Sequence, residues 1–304
     1  NLAHDPKRQA EVKALFSAQK EINPFYGTIW EGIPRPALTA AHLQGIGKLQ
    51  NLTFLDLSFN GLTDLPDELL ALKNLRFVNL KYNQLGFAVR QKLYKSLPHT
   101  QMDFSNNDIA EEQTAENAEW QAMTQRIKEA NALMNAKNDA DKLRQSLQMY
   151  DEVLDYFRSG KVVDEYNLLY ANYGKVWAYS YLNSYHKATF TPEALWQSQK
   201  DAIAQGLQTL ALIPAMIWHY TDLGRFHEEV SRITANSVAW QMMETAQDKA
   251  DLDKALEVIQ KGVRFAESES QWFILDTQVR ILLKLGRTEE AYRIVQRVLV
   301  QSPG

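Results

Sequence analysis

The stretch LTFLDLSFNGL, residues 52–62, decides the fold of the first part of the chain. Its leucines alternate as in a half-buried strand, yet Asn60 stands where an apolar core residue is expected. The same frame, L-x-x-L-x-L-x-x-N-x-L, returns in LRFVNLKYNQL and more weakly in HTQMDFSNNDI. Asn60, Asn83 and Asn107 are thus separated by 23 and 24 residues, and this spacing indicates an internal repeat.

The repeat resembles the leucine-rich repeat family over about residues 40–110. The resemblance implies that each unit forms a short strand and then turns, which exposes backbone amides that need partners. An inward asparagine has both donor and acceptor atoms for those amides, so stacked units form an asparagine ladder. We therefore expect the three asparagines to be structural. Leu65, Leu69 and Leu72 have the spacing of a turn followed by a helix.

Residues 1–48 are the expected N-terminal helical cap, because a stacked repeat exposes an apolar edge that needs a cover. Asp5 and Pro6 are typical of a helix start. An apolar helical stripe follows, and then an aromatic connector that we expect to seal the first repeat. These residues are Val12, Leu15, Phe16 and Ile22, then Phe25, Tyr26 and Trp30.

From about residue 111 the apolar period changes to 3.6, which is typical of helices. Tyr170, Tyr173, Gly174 and Trp177 fit the spacing W-x-x-L-G-x-x-Y, with aromatics substituted, so residues 111–304 resemble the tetratricopeptide repeat family. The resemblance implies roughly four helix pairs, in which Gly174 lets a partner helix approach closely.

The C-terminal segment KLGRTEEAYRIVQRVLVQSP is the clearest unit of the helical region. It places Gly286 at a turn and three residues on the expected buried face: Ala291, Val295 and Val298. Ala255 and Ile259 match Ala291 and Val295 at a 36-residue offset.

The predicted fold class is α/β plus all-α. It is a short leucine-rich-repeat solenoid with an N-terminal helical cap, followed by a tetratricopeptide-like α-solenoid that meets it end to end. The predicted domains are the cap over 1–48, the leucine-rich repeats over 49–110 and the helical domain over 111–304.

The composition narrows the function classes. The chain has 304 residues and a formal net charge of -4, which argues against nucleic acid as the main partner. There is no cysteine, which excludes disulfides, thiolate metal sites and cysteine nucleophiles. A bacterial effector that joins leucine-rich repeats to a cysteine-dependent ubiquitin ligase is excluded for the same reason. No apolar run approaches the roughly 18 residues of a membrane span.

The sequence contains no assembled catalytic motif. It lacks a phosphate-binding glycine loop and a G-x-S-x-G elbow. His219 and His227, with Glu228 and Glu229, form the only local acid–imidazole cluster, which we interpret as a solvated loop and helix start. We therefore predict no catalytic residue, no metal and no cofactor.

The strand alternation defines the first candidate surface for a partner. The outward residues, our predicted partner-binding positions, are Phe54, Asp56 and Ser58, then Phe77, Asn79 and Lys81, then Gln101, Asp103 and Ser105. Because equivalent positions on neighbouring strands lie about 4.8 Å apart, Phe54 and Phe77 are expected to stack. They form an exposed aromatic anchor beside a polar ladder, unless a neighbouring segment buries them.

The helical region supplies the second candidate. An aromatic stripe at helical spacing is expected to pack in the core: Tyr166, Tyr170, Tyr173, Trp177 and Tyr181. Tyr179, Tyr185 and Trp196 fall off this stripe and are predicted to line a groove for a peptide or helix.

The sequence therefore predicts a non-catalytic scaffold or adaptor of bacterial type that binds a protein or peptide partner, without nucleic acid and without a transmembrane segment. The alternatives are a toxin-neutralising protein and a cryptic enzyme or enzyme accessory that uses the helical groove. A cytoplasmic location is expected, or a periplasmic or secreted one if a signal peptide preceded Asn1. The identity of the partner and the oligomeric state are left open.

Overall fold

The computed structural model describes residues 38–105, 107, 115–214, 222–264 and 272–301. The chain divides into two compact units, with the boundary between Ala118 and Glu119. Most of the predicted N-terminal cap lies outside the described residues, so the helix after Asp5 and the sealing role of the aromatic connector stay predictions. Within the described residues, no helix is long and apolar enough to cross a membrane.

Three short parallel strands form the sheet of the first unit, in the order β1, β2, β3. They are β1 (Phe54–Asp56), β2 (Phe77–Asn79) and β3 (Gln101–Asp103). In the register, Phe54 lies opposite Phe77, which lies opposite Gln101. This is the pairing that the repeat frame predicts, with equivalent positions of successive repeats side by side.

Short helical segments connect the strands. The 3-10 helices Ala40–Leu43 and Ile46–Lys48 precede β1, and the 3-10 helix Asp67–Ala71 lies between β1 and β2. Helix α1 (Phe87–Ser96) lies between β2 and β3. All the frame leucines except Leu52 are buried, and so are Leu65, Leu69 and Leu72 in the stretch between β1 and β2.

The predicted asparagine ladder is present, and it explains why an asparagine occupies a buried position of the repeat frame. The Oδ1 atom of Asn83 accepts the backbone N–H groups of Asn60, at 3.2 Å, and of Leu62, at 3.0 Å. Its Nδ2 donates to the carbonyls of Leu57, at 2.9 Å, and Leu80, at 3.0 Å. The structural role of the asparagines is therefore confirmed.

Asn107 repeats the arrangement one unit later. It accepts the N–H of Leu85 at 3.1 Å and donates to the carbonyl of Leu80 at 2.6 Å. Asn83 and Asn107 thus each satisfy the turn of the preceding unit as well as their own, whereas Asn60 donates only within its own turn.

The second unit is helical. Its helices are α2 (Ala115–Met134), α3 (Ala140–Arg158), α4 (Glu165–Tyr185), α5 (Pro192–Ala211), α6 (Asp222–Thr245), α7 (Lys249–Val263), α8 (Trp272–Lys284) and α9 (Thr288–Gln301). A 3-10 turn, Lys187–Thr189, follows α4. Helix α2 begins just before the boundary between the units.

Capping residues set the ends of these helices. Asp139 accepts the backbone N–H groups at the start of α3, and Thr191 does the same for α5, where Pro192 occupies the first turn. Gly160 and Gly286 have positive φ values of 72° and 78° after α3 and α8. Glycine thus ends both helices, and the turn predicted at Gly286 is confirmed.

From α3 to α9 each helix packs against the next one along the chain. In addition, α4 packs against α6, and α6 packs against α8. A Cβ atom added to Gly174 on α4 would lie 2.3 Å from the Tyr150 ring on α3. The close helix approach predicted at Gly174 is confirmed.

The expected buried face of the last helix is only partly buried. Ala291 of α9 is buried, as are the matching residues Ala255 and Ile259 on α7. Val295 of α9 is 39% exposed, so the prediction that it is buried is wrong. Helix α9 packs on α8, and among the described residues no later helix covers its other side. The side chain of Val298 lies outside the described residues.

Candidate functional site

The nine predicted positions of the strand face lie side by side on β1, β2, β3 and the residues that follow each strand. Most are half-buried: Asp56, Ser58, Asn79, Lys81, Gln101 and Ser105. Phe54 is 37% exposed, whereas Phe77 and Asp103 are buried. The face is thus accessible mainly through its polar side chains, and its partner-binding role stays a prediction.

The Phe54–Phe77 stack exists, with ring centroids 5.4 Å apart. It is not the exposed pair that alternation predicts, because Phe77 is 0% exposed. Phe77 lies on the central strand, where Phe54 and Gln101 flank it on both sides. Only Phe54 keeps accessible apolar surface.

The polar side chains of this face are held by local hydrogen bonds at the strand ends. Asp56 accepts the backbone N–H of Ser58 at 2.9 Å and its hydroxyl at 2.6 Å. Asp103 accepts the same two groups of Ser105, at 3.0 and 2.5 Å. These bonds fix the direction of each carboxylate, so the face is rigid rather than adaptable.

The two aspartates differ in their second oxygen. Oδ2 of Asp56 accepts the side-chain amide of Asn79 on the next strand, at 3.2 Å. Oδ2 of Asp103 is buried and has no hydrogen-bond partner in the described part of the chain. No described strand follows β3 to supply an amide like that of Asn79.

The sequence interpretation missed an aromatic pair at the end of the same face. Phe59 and Tyr82 occupy the position before the ladder asparagine in successive repeats, and their rings stack at 4.2 Å. Both have positive φ, 60° and 52°, which is unusual for bulky side chains. Tyr82 is 45% exposed, and the ammonium group of Lys81 lies 5.5 Å from its ring. The aromatic residue that recurs directly before the ladder asparagine was the sequence signal that could have identified this pair.

The aromatic stripe of α4 is only in part a core stripe. Tyr173 is buried and Trp177 packs half-buried against the same core cluster, whereas Tyr170 and Tyr181 are only half-buried and the core prediction is wrong for the exposed Tyr166. The helix packs through other residues: Gly174 contacts α3, and Asn172 bonds Gln205 on α5 at 2.8 Å.

The stripe forms a row of ring contacts along α4, in which Phe226 of α6 bridges Tyr170 and Tyr173. Tyr166 and Tyr170 stack at 5.8 Å, Tyr173 meets Trp177 at 6.2 Å, and Trp177 meets Tyr181 at 5.3 Å. Phe226 of α6 packs on the first part of the row, 5.6 Å from Tyr170.

The three off-stripe aromatics lie in different surroundings, and the groove predicted for them stays a prediction. Tyr179 is half-buried, and burial together with the negative charges of Asp201 and Asp151 raises its pKa to about 12. Tyr185 lies beside the α2–α3 connection, at residues 135–139. Trp196 lies under the ammonium group of Lys200, at 3.4 Å. Among the described residues, no ring contact joins any two of the three.

A groove that these three aromatics do not line lies between α4, α6 and α8. Its volume is about 330 Å³. The residues that carry its chemistry are Trp177, Ser180 and Ser184 on α4, Asn236, Trp240 and Gln241 on α6, and Phe273 on α8. It forms where the alternate helices pack on one another, a contact that the sequence pattern does not specify.

Two side-chain amides in this groove lack partners. Oδ1 of Asn236 and Oε1 of Gln241 are buried, and neither accepts a hydrogen bond within the described residues. Gln241 as a whole is 4% exposed. Buried polar atoms are normally paired in folded proteins, so these two are exceptions in one place.

The acid–imidazole cluster is not the solvated helix start that the sequence suggests. His227 is buried within α6, where desolvation lowers its pKa from 6.5 to about 4, and its Nδ1 has no partner among the described residues. Glu229 accepts the hydroxyl of Tyr173 at 3.2 Å, and His219 lies outside the described residues. In the described ranges, no three acidic or imidazole side chains come close enough to hold a metal ion.

Comparison with protein families supports the first unit. Residues 50–88 match the family model described as Leucine Rich repeats (2 copies). This segment contains β1, β2 and the asparagines Asn60 and Asn83, so that part of the resemblance is confirmed. The tetratricopeptide resemblance gains no support and stays a prediction. The comparisons with curated proteins and with solved structures give no match.

Proposed function

We propose that this protein is a non-catalytic scaffold or adaptor that binds a protein partner on the strand face of its leucine-rich repeats. The matched repeats support the proposal, since repeats of this kind generally present a surface for protein–protein interaction. The single observation that carries it is the stacked pair Phe59 and Tyr82 at the end of that face.

The pair has the character of an interface anchor. Bulky residues at positive φ are strained, and such strain is concentrated at functional sites. The exposed ring of Tyr82 lies beside the ammonium group of Lys81, and the carboxylate of Asp56 on the same face is held in a fixed direction by Ser58. A rigid aromatic group surrounded by polar groups is the usual composition of an interface hot spot.

A variant that removes the rings without harming the backbone tests this proposal. Asparagine tolerates positive φ better than most residues, so Phe59→Asn with Tyr82→Asn keeps the turn geometry. A partner captured by the wild-type chain and identified by mass spectrometry is purified, and its affinity is measured by calorimetry. We expect at least about a 30-fold loss of affinity, which corresponds to a hot spot of roughly 2 kcal/mol.

Thr63→Asn is the matched control, because Thr63 is exposed and lies on the turn outside the strand face. It should bind like the wild type. Equal affinity of the double variant and the wild type would show that the strand face is not the binding surface. The identity of the captured protein also distinguishes an adaptor from a toxin-neutralising protein. Capture of a toxin would indicate neutralisation, and capture of a component of a larger assembly would indicate an adaptor.

A further inference from the structure

We propose a second binding site, which goes beyond the strand face: the groove between α4, α6 and α8 binds an uncharged, bicyclic aromatic small molecule. The rings of this molecule lie among the aromatic side chains of the groove, and its polar group bonds to serine hydroxyls. Four features of the groove carry the inference: the direction of its lining side chains, its position between two hydrophobic clusters, its accessible hydroxyls and its lack of charge.

The accessible side chains that line the groove share one face of each helix. They are Trp177, Ser180 and Ser184 on α4, and Ile233, Ser237 and Trp240 on α6. Within each set, neighbours are three or four residues apart, so the three side chains lie within about 60° around the helix axis. Each set spans about 10.5 Å along its helix. The groove therefore has two walls of matched length, which bound the ligand.

The groove lies between two distinct hydrophobic clusters of the helical unit. Trp177 and Ile233 pack on the small cluster that contains Tyr173. Trp240 and Phe273 pack on the large cluster that α6, α7 and α8 share. Within the described residues, no ring contact joins Trp177, Trp240 and Phe273 to one another, so a ring placed among them makes contacts that the protein does not already make. A bound aromatic molecule therefore connects the two clusters.

The volume of the groove sets the size of the ligand. It is about 330 Å³, at the lower end of the range of about 300–1,000 Å³ for small-molecule pockets. An apolar cavity of about 150 Å³ holds one benzene molecule, so the groove has room for about two fused rings. A polypeptide partner usually covers roughly 800 Å² on each side, which is far more than two walls of about 10.5 Å provide. The dimensions therefore favour a small molecule.

The serine hydroxyls supply the polar contacts. Ser180 and Ser237 are half-buried and Ser184 is exposed, and none of the three hydroxyls makes a hydrogen bond within the described part of the chain. Each can donate one hydrogen bond and accept others. The side-chain oxygens of Asn236 and Gln241 are fully buried and take no part. A ligand hydroxyl that reaches one of the serines therefore gains a hydrogen bond without breaking one in the protein.

The charge of the groove restricts the ligand further. Among the described residues that line it, none is charged. The guanidinium of Arg280 lies 5.8 Å from the Trp240 ring, but it is paired with Asp276 at 2.7 Å. A charged group on the ligand would lose water here without gaining a partner. The groove therefore selects an uncharged molecule.

Binding of matched probes to the full wild-type chain, measured by calorimetry and ligand-observed NMR, tests the chemistry of the ligand. The probes 2-naphthol, naphthalene and 2-naphthoate share two fused rings and differ in their polar group. We expect 2-naphthol to bind at least about tenfold more tightly than 2-naphthoate, and about threefold or more tightly than naphthalene, because only it is both uncharged and able to bond to a serine. Failure of 2-naphthol to bind, or equal binding of 2-naphthoate, would overturn the proposal. Tighter binding of N-acetyltryptophan amide than of 2-naphthol would also overturn it, in favour of an aromatic side chain of a polypeptide.

A second measurement locates the probe in the groove. Ser180→Leu with Ser237→Leu fills the groove from both walls, and we expect it to weaken 2-naphthol binding at least about tenfold without lowering the melting temperature, because the added side chains contact both clusters. Gln148→Leu, which adds the same side chain at an exposed position of α3, is the matched control and should bind like the wild type. Unchanged binding by the double variant, or an equal loss in the control, would refute the site. The probe series on the wild-type chain does not depend on how the variants fold.

Discussion

Replacing Asn83 by alanine should destabilise the repeat unit far more than the same replacement of Asn60. Both side chains are buried, at 3% and 5% exposure. Their hydrogen bonds differ, however. The Oδ1 atom of Asn83 is the acceptor for the N–H groups of Asn60 and Leu62, whereas Oδ1 of Asn60 has no partner in the described structure.

The magnitude follows from the groups left without partners. Asn83→Ala leaves two buried N–H groups unsatisfied, each at about 1–3 kcal/mol, so the free energy of unfolding should fall by about 2–6 kcal/mol. The Leu57 and Leu80 carbonyls keep the donors Asn60 and Asn107. Asn60→Ala leaves no N–H unsatisfied, and its expected loss is about 1 kcal/mol.

Hydrogen exchange of the full chain under increasing urea, followed by mass spectrometry of peptides covering residues 54–85, measures this difference locally. Local measurement is needed because the two units need not unfold together. Gln84→Ala, an exposed neighbour of the ladder, should be neutral. If Asn60→Ala lowers protection as much as Asn83→Ala does, the ladder argument is wrong.

Three further changes test the helical unit, each by urea or pH titration of circular dichroism. Gly174→Val should lower the free energy of unfolding by about 2–3 kcal/mol, because its side chain overlaps the buried ring of Tyr150; an unchanged value would contradict the close approach. His227 is neutral in the fold down to its pKa of about 4 but becomes protonated in the unfolded chain below 6.5, so stability should fall between those pH values, by up to about 3 kcal/mol. His227→Gln should flatten this dependence, and a slope equal to that of the wild type would refute it. Ile259→Ala should cost about 2–5 kcal/mol and Val295→Ala less than about 0.5 kcal/mol; similar losses would show that α9 is covered.

Much of the fold follows from local chemistry in the sequence. The repeat frame gives the strand register, because identical offsets place equivalent residues side by side. Thr191 and Pro192 are typical of a helix start and Gly160 of a helix end, because each suits the backbone of its own turn. Gly174 marks a close helix contact for a similar reason, as only glycine leaves the room.

The candidate sites could be predicted less well from the sequence. The spacing of the α4 aromatics identifies one helix face but not whether a neighbour covers it, and only Tyr173 of that row is buried. Phe77 shares the outward side of its strand with Phe54, yet it is fully buried. Exposure depends on residues distant in the chain, which periodicity does not encode.

The sequence by itself determined the repeat architecture of the first unit, the structural role of Asn60 and Asn83, and the ends of many helices. These are properties of local hydrogen bonding and of a fixed offset along the chain. The tertiary structure alone decided where polar groups lack partners. Asn236 and Gln241 look ordinary in sequence, yet their side-chain oxygens are buried without a hydrogen-bond partner among the described residues, because burial on α6 depends on helices that are distant in the chain.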